Sequence, residues 1–171
     1  DYMVSIGYGL DYDGHHLWMV GGTHAQNLTD ADCPDPGGTG VYHTHVNAGS
    51  SYPYGECDGF ILAFDPDSYT LKYGTLIGGP DYDLLTDVSH DAHNVYITGE
   101  TRSNTAFATD LDPSRYFQVQ NPNQSSRDAV ILAINEDISS PSLVWKSAFG
   151  GVLSDRGWGI AASPTEIYLT G

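Results

Sequence analysis

Asp87-Val-Ser-His-Asp-Ala-His-Asn-Val-Tyr-Ile-Thr-Gly99 aligns without gaps to Gly159-Ile-Ala-Ala-Ser-Pro-Thr-Glu-Ile-Tyr-Leu-Thr-Gly171. The same register fits Gly9-Leu-Asp-Tyr-Asp-Gly-His-His-Leu-Trp-Met-Val-Gly21, and the copy continues as Gly21-Gly-Thr23 against Gly99-Glu-Thr101. In the middle copy a polar turn is followed by Val95-Tyr-Ile-Thr, which mixes β-branched and aromatic residues as strands do. Recurrence at a fixed long period marks an architecture built from one repeated supersecondary unit.

A second segment recurs beside the first. Asp58-Gly-Phe-Ile-Leu-Ala-Phe-Asp65 matches Asp128-Ala-Val-Ile-Leu-Ala-Ile-Asn135. Each leads through a turn into a stretch closing on Gly-Gly, Leu71 to Gly78-Gly79 and Val144 to Gly150-Gly151. An aspartate follows each pair, Asp83 and Asp155.

Each unit therefore holds four strand-length apolar stretches, in the second unit near 84–90, 94–100, 128–135 and 143–149. The nearly continuous apolar run from Ala129 to Ile134 predicts a strand buried on both faces. Turn chemistry separates the stretches at Asp91-Ala-His-Asn, at 137–141 and at Gly150-Gly151. No segment carries helical periodicity. Four strands per repeat predict an all-β fold, a β-propeller segment of four-stranded antiparallel blades. Residues 1–79 form blade 1, 80–151 form blade 2, and 152–171 form the first half of blade 3, all within one propeller domain. Propellers usually need at least about four blades to close. The chain is therefore expected to be a segment of a larger propeller, or, less favoured, an open array completed by neighbouring chains, since an unclosed end exposes strand edges.

Composition agrees with that reading. The 171 residues carry 18 Asp but only 4 Glu, with 20 Gly, 9 Pro and 12 Tyr. Asp favours turns where Glu favours helices, so this is the composition of short strands joined by many turns. At 40% hydrophobic the chain can still bury a core. The net charge of −16 leaves too few cations to displace phosphate counterions or to bind an anionic bilayer. No run of about 18 apolar residues is present to span a membrane. Neither a starting Met nor a basic-then-apolar leader opens the chain, so a processed or cropped piece is expected.

Gly-Gly, then Asp, then Gly-Ile-Ala, then Val-Tyr-Ile-Thr-Gly-Glu-Thr-Arg-Ser, then Asp-Ala-Val-Ile-Leu-Ala-Ile-Asn resembles the SBBP class of β-propeller repeat. Residues 73–101, 127–135 and 145–171 carry the resemblance. The first unit departs from it, with Val-Gly-Gly-Thr in place of Thr-Gly-Glu-Thr and a long cysteine-bearing insertion. The resemblance implies a blade fold in a large exported or surface protein, and no particular reaction. The repeat-structural positions that the internal alignment marks are Gly21, Gly99, Gly171, Asp58, Asp128, Gly78, Gly79, Gly150, Gly151, Asp83 and Asp155.

The long connections join the second strand of each blade to the third, at about 23–57 in blade 1 and about 101–127 in blade 2. Loops beyond about 12–15 residues are uncommon and often functional. In an up-and-down blade both project from the rim that carries Gly78 to Asp83 and Gly150 to Asp155. Recognition of a partner belongs on that rim; decoration of a tolerant surface is the competing reading.

The first insert holds Cys33, Cys57, His24, His43 and His45. A Cys33–Cys57 disulfide would close a loop of about 25 residues and contribute roughly 3 kcal/mol in the chain-entropy model. In an exported protein that pairing is expected over two free thiols. His43 and His45 are two apart in an extended-looking stretch, so their rings would share a side. With His24 or a carboxylate they could hold zinc or copper; solvated loop histidines are the alternative. Asp11 and Asp13 place oxygens at alternate positions, as calcium requires, yet no distal Glu completes a calcium loop. Turn aspartates of this kind also serve as latches to backbone N–H groups. Asn27-Leu-Thr29 and Asn123-Gln-Ser125 are glycosylation sequons, one per insert.

No Gly-x-Ser-x-Gly, phosphate loop or His-Glu-x-x-His occurs. Trp18, Trp145 and Trp158 fall in expected strands, where packing is their expected role. The sequence thus reads as a non-catalytic extracellular propeller scaffold or recognition module at the cell surface. Its partner would be a protein, a glycan or copies of itself in a surface or filamentous assembly. A glycan-binding or glycan-cleaving propeller and a metal-binding module at the first insert are the alternatives.

Overall fold

The computed structural model describes residues 5–23, 42–43, 57–78, 81–103, 126–138 and 142–171. Strand β1 (Ser5–Tyr12) turns back into β2 (Leu17–Thr23). Gly14 makes that turn with a φ of 97°, a conformation that side-chain-bearing residues rarely adopt. Tyr42–His43 form a short strand, β3. The remaining strands are β4 (Asp58–Phe64), β5 (Leu71–Ile77), β6 (Asp83–His90), β7 (Asn94–Thr101), β8 (Asp128–Asn135), β9 (Leu143–Phe149), β10 (Gly159–Ala162) and β11 (Ile167–Thr170). No helix occurs among the described residues.

The molecule is all-β. One antiparallel sheet has the order β1-β2-β4-β5, and a second the order β6-β7-β8-β9; β10 and β11 form a hairpin. The first sheet departs from a plain four-stranded unit, because β3 lies parallel to β5 on its outer edge, Tyr42 opposite Thr75.

Pairing registers recur between the sheets. Gly9 opposes Val20, Asp87 opposes Thr98 and Gly159 opposes Thr170, the positions that the sequence alignment makes equivalent. The ladder of β1 slips between Gly7 and Gly9, and that of β6 slips at the equivalent place, between Leu85 and Asp87. Gly21, Gly99 and Gly171 explain themselves here. A Cβ at each would overlap a backbone carbonyl oxygen, of Ile6, Leu84 and Arg156 in turn. Only glycine lets the two backbones come so close.

The sheets stack face to face. Strand β6 packs on β1, β2 and β4, and β10 packs on β6 and β7. Side chains alternate between the faces of a strand, and the alternation sorts the core into two interfaces. Trp18, Val20, Ile61 and Ala63 of the first sheet meet Val88, Val95, Ile97, Val130 and Leu132 of the second. Tyr96 and Ala133, on the opposite face of the second sheet, meet Ile160 with Ala162 and Leu169 of the hairpin. This explains why β8 is apolar without alternation: it is covered on both sides.

Equivalent positions meet at both interfaces. A Cβ at Gly9 would press on the Cα of Asp87, and one at Gly159 would meet the Asp87 carboxylate at 3.7 Å, the same carboxylate that accepts the neighbouring Ile160 N–H at 2.9 Å. Asp11 Oδ2 lies 2.7 Å from His90 Nδ1, and Ser89, the counterpart of Asp11, accepts the N–H of Ala162, the counterpart of His90, at 3.0 Å. Thr86 adds a bond across the second interface, its hydroxyl donating to the Gly157 carbonyl at 2.6 Å.

Candidate functional site

The candidate site is the rim where both long inserts leave and rejoin their sheets. Antiparallel alternation brings to one end the last residues of β2 and β7 (Thr23, Thr101), the first of β4, β6 and β8 (Asp58, Asp83, Asp128), and the glycines after β5 and β9 (Gly78, Gly150). Buried carboxylates and glycines interlock there. A Cβ at Gly78 would overlap Asp58 Oδ1, and one at Gly150 would overlap Asp128 Oδ1 and stand 2.9 Å from Asp155 Oδ2. The missing side chains are what admit the carboxylates.

Asp83 is fully buried. Its two oxygens accept the hydroxyls of Thr101 and Ser103, the latter at 2.7 Å. Ser103 Oγ also accepts the Asp81 N–H at 3.0 Å, and the Ser103 N–H donates to Thr101 Oγ1 at 2.9 Å. The start of the second insert is thus clamped to the connection between the sheets. Where the inserts rejoin, the pattern repeats: Asp83 N–H donates to the Cys57 carbonyl at 2.6 Å, and Asp155 N–H to the Arg127 carbonyl at 2.7 Å. Asp155 Oδ2 accepts the Gly151 N–H at 2.6 Å, the expected turn latch.

Glu100 went unnoticed in the sequence. It is buried and takes Arg127 Nη1 at 3.0 and 3.2 Å and Arg156 Nε at 2.8 Å. Two guanidinium groups offset the cost of burying its charge. Arg127 also lies over the Tyr82 ring at 4.7 Å from its centroid. Burial pushes the Tyr82 hydroxyl above its ordinary range, and the charge of Arg127 opposes that rise. The signal that could have found the group is scarcity: Glu100 is one of 4 Glu, and Arg127 and Arg156 are among 6 cations.

The first sheet fills the equivalent place differently. Gly22 stands where Glu100 stands, and Cys57 where Arg127 stands; a Cβ at Gly22 would come 2.6 Å from Cys57 Sγ. Of the expected Cys33–Cys57 disulfide, Cys33 lies outside the described residues, and Cys57 is a free, buried thiol. Its sulfur is turned into the sheet over Gly22. Burial, with the charges of Asp58 and Asp83 nearby, pushes the thiol up to about 12.

His24, Asn27, Cys33, His45, Gly79 and Asn123 lie outside the described residues, as does the side chain of His43. Among the described residues, no group of three or more His, Cys, Asp or Glu is placed to hold a metal. Asp11 and Asp13 lie at the opposite rim. Asp13 Oδ1 accepts the N–H groups of His15 and His16 at 2.7 and 2.6 Å, and Oδ2 accepts the Trp18 indole at 2.6 Å. Asp13 is thus a latch. Asp11 faces His90 across the interface. Trp18 and Trp145 lie in strands, Trp18 fully buried and Trp145 packed by Tyr96. Trp158 instead precedes β10 and is exposed beneath Arg156, 5.5 Å from its ring centroid. No protein-family model matches the chain, and no curated protein matches it.

Proposed function

We propose that the chain is part of a β-propeller that serves as a non-catalytic scaffold and recognition module outside the cell. Its inserts, about 23–57 and 101–127, meet a protein or glycan partner. One observation carries this reading: equivalent residues meet at successive sheet interfaces, Gly9 with Asp87 and Asp87 with Gly159. Repeating one sheet-to-sheet step is how blades are arrayed about an axis. The buried carboxylates of Asp83 and Glu100, with the Asp155 turn latch, hold the insert ends to a rigid base, as a recognition surface requires.

The test replaces each insert by a short Gly-Ser link and compares the variants with the intact chain on a panel of immobilised glycans and cell-surface proteins. Retained strand content with loss of at least about tenfold in affinity for a bound panel member supports the reading. Equal binding without the inserts, or turnover of any glycan, overturns it.

A further inference from the structure

We propose that three rim positions at each sheet interface select which sheet may follow which: the second sheet accepts a neighbour bearing arginine, the first a neighbour bearing leucine. The inference concerns pairing between sheets and stands apart from whatever the inserts bind. Glu100, Arg127 and Arg156 hold the three positions where the second sheet meets the hairpin. Gly22, Cys57 and Leu84 hold the equivalent positions where the first sheet meets the second. In the ionic set Glu100 is buried, with Arg127 Nη1 at 3.0 Å. Arg156, on the stretch leading into β10, adds its Nε at 2.8 Å. In the apolar set the space left by Gly22 is filled from two sides, since a Cβ there would overlap both Leu84 of β6 and Cys57, which are themselves buried.

The rest of each interface discriminates little, because apolar packing is non-directional and the hairpins 9–21, 87–99 and 159–171 copy one pattern. The rim discriminates through what a wrong neighbour leaves unpaired. Leucine in place of Arg156 takes one of two cations from a buried carboxylate, and breaking a buried ion group is costly. Arginine in place of Leu84 finds glycine where the ionic set has Glu100. Exchanging all three positions together is different, since packed apolar residues often replace a buried ion group without loss. Misassembly of similar units is a characteristic failure of repeat proteins, and the selector opposes it.

Hydrogen exchange of the whole chain reads this at the Ile160 N–H, which donates to Asp87 across the second interface at 2.9 Å, with the urea midpoint as a second reading. Arg156→Leu and Glu100→Gly each mismatch the set and should speed that exchange at least about tenfold and lower the midpoint. The triple variant Glu100→Gly, Arg127→Cys, Arg156→Leu rebuilds the apolar set and should return the exchange to within about threefold of the original. Circular dichroism confirms that strand content is kept. Where Glu100→Gly does not fold, Glu100→Gln replaces it as the single variant, and its cycle with Arg156→Leu should show the same non-additivity. Single variants that match the original chain in both readings overturn the selector. So does a triple variant that is no better protected than Arg156→Leu alone, or a cycle whose two effects simply add.

Discussion

The Asp13 carboxylate joins a turn to a sheet interface through Trp18. One oxygen gathers the turn's N–H groups, and the other accepts the Trp18 indole at 2.6 Å, five residues on. Asp91 does the same for Tyr96, with His93 and Asn94 supplying the N–H donors and the tyrosine hydroxyl donating at 2.7 Å. Trp18 and Tyr96 are the aromatics that face the next sheet, so each latch also orients an interface side chain.

These two latches predict an acid limb to the stability curve. Burial works to raise both carboxyls, but the aromatic and backbone donors outweigh it, and both are held below the ordinary 3.8. A carboxyl lowered on folding stabilises above its unfolded value and loses that contribution as pH falls through its folded value. Stability from Asp13 and Asp91 should be intact above about pH 4 and lost below it. Urea midpoints measured from pH 6 to pH 2 should fall, and the fall should be shallower in the Asp13→Asn, Asp91→Asn double variant. An unchanged acid limb in that variant counts against the latches.

Truncating equivalent aromatics should give unequal costs. Trp18→Ala removes a fully buried ring and should cost about 3–5 kcal/mol. Tyr168→Ala, at the same position of the exposed hairpin, should cost within about 0.5 kcal/mol in dilute, monomeric protein. Chemical denaturation reads both, and similar costs would mean that Trp18 does not sit in an interface.

Gly99→Ala places a Cβ onto the Leu84 carbonyl, and β6 must move to admit it. Overpacking against backbone should cost about 3 kcal/mol or more. Gly14→Ala, where nothing lies within 4 Å, should cost only the roughly 1 kcal/mol of its positive φ. Thermal melts of the two variants should rank in that order.

Cys57 should be inert to thiol reagents in the native protein. Its thiol is buried and pushed up to about 12, so almost no thiolate forms near pH 8. Alkylation at that pH, read by peptide mass spectrometry, should label Cys57 only after denaturant is added. Rapid native labelling would place the sulfur at the surface.

The strands were legible because their signals are local. The run Ala129–Ile134 proved to be β8, covered on both faces, and the stretch expected near 84–90 is β6 from Asp83 to His90. Gly21, Gly99 and Gly171 stood out as repeats, though only the structure shows the carbonyl that each one meets. The rim chemistry was hidden for a different reason. Glu100, Arg127 and Arg156 lie far apart in sequence and belong to different strands and connections. The place of Cys57 was hidden for the same reason, because its sulfur lies buried over Gly22, far back in the chain. Trp158 misled because an aromatic beside a strand can lie just outside it, under a cation.

The stacked blades are tested most directly by the two rotations that relate their hairpins in a crystal structure. One superposes residues 9–21 on 87–99, and the other superposes 87–99 on 159–171. Blades fanned about a common axis require equal rotations about one shared line. Rotations that differ in axis or sense would contradict the propeller, however well each hairpin matched its neighbour.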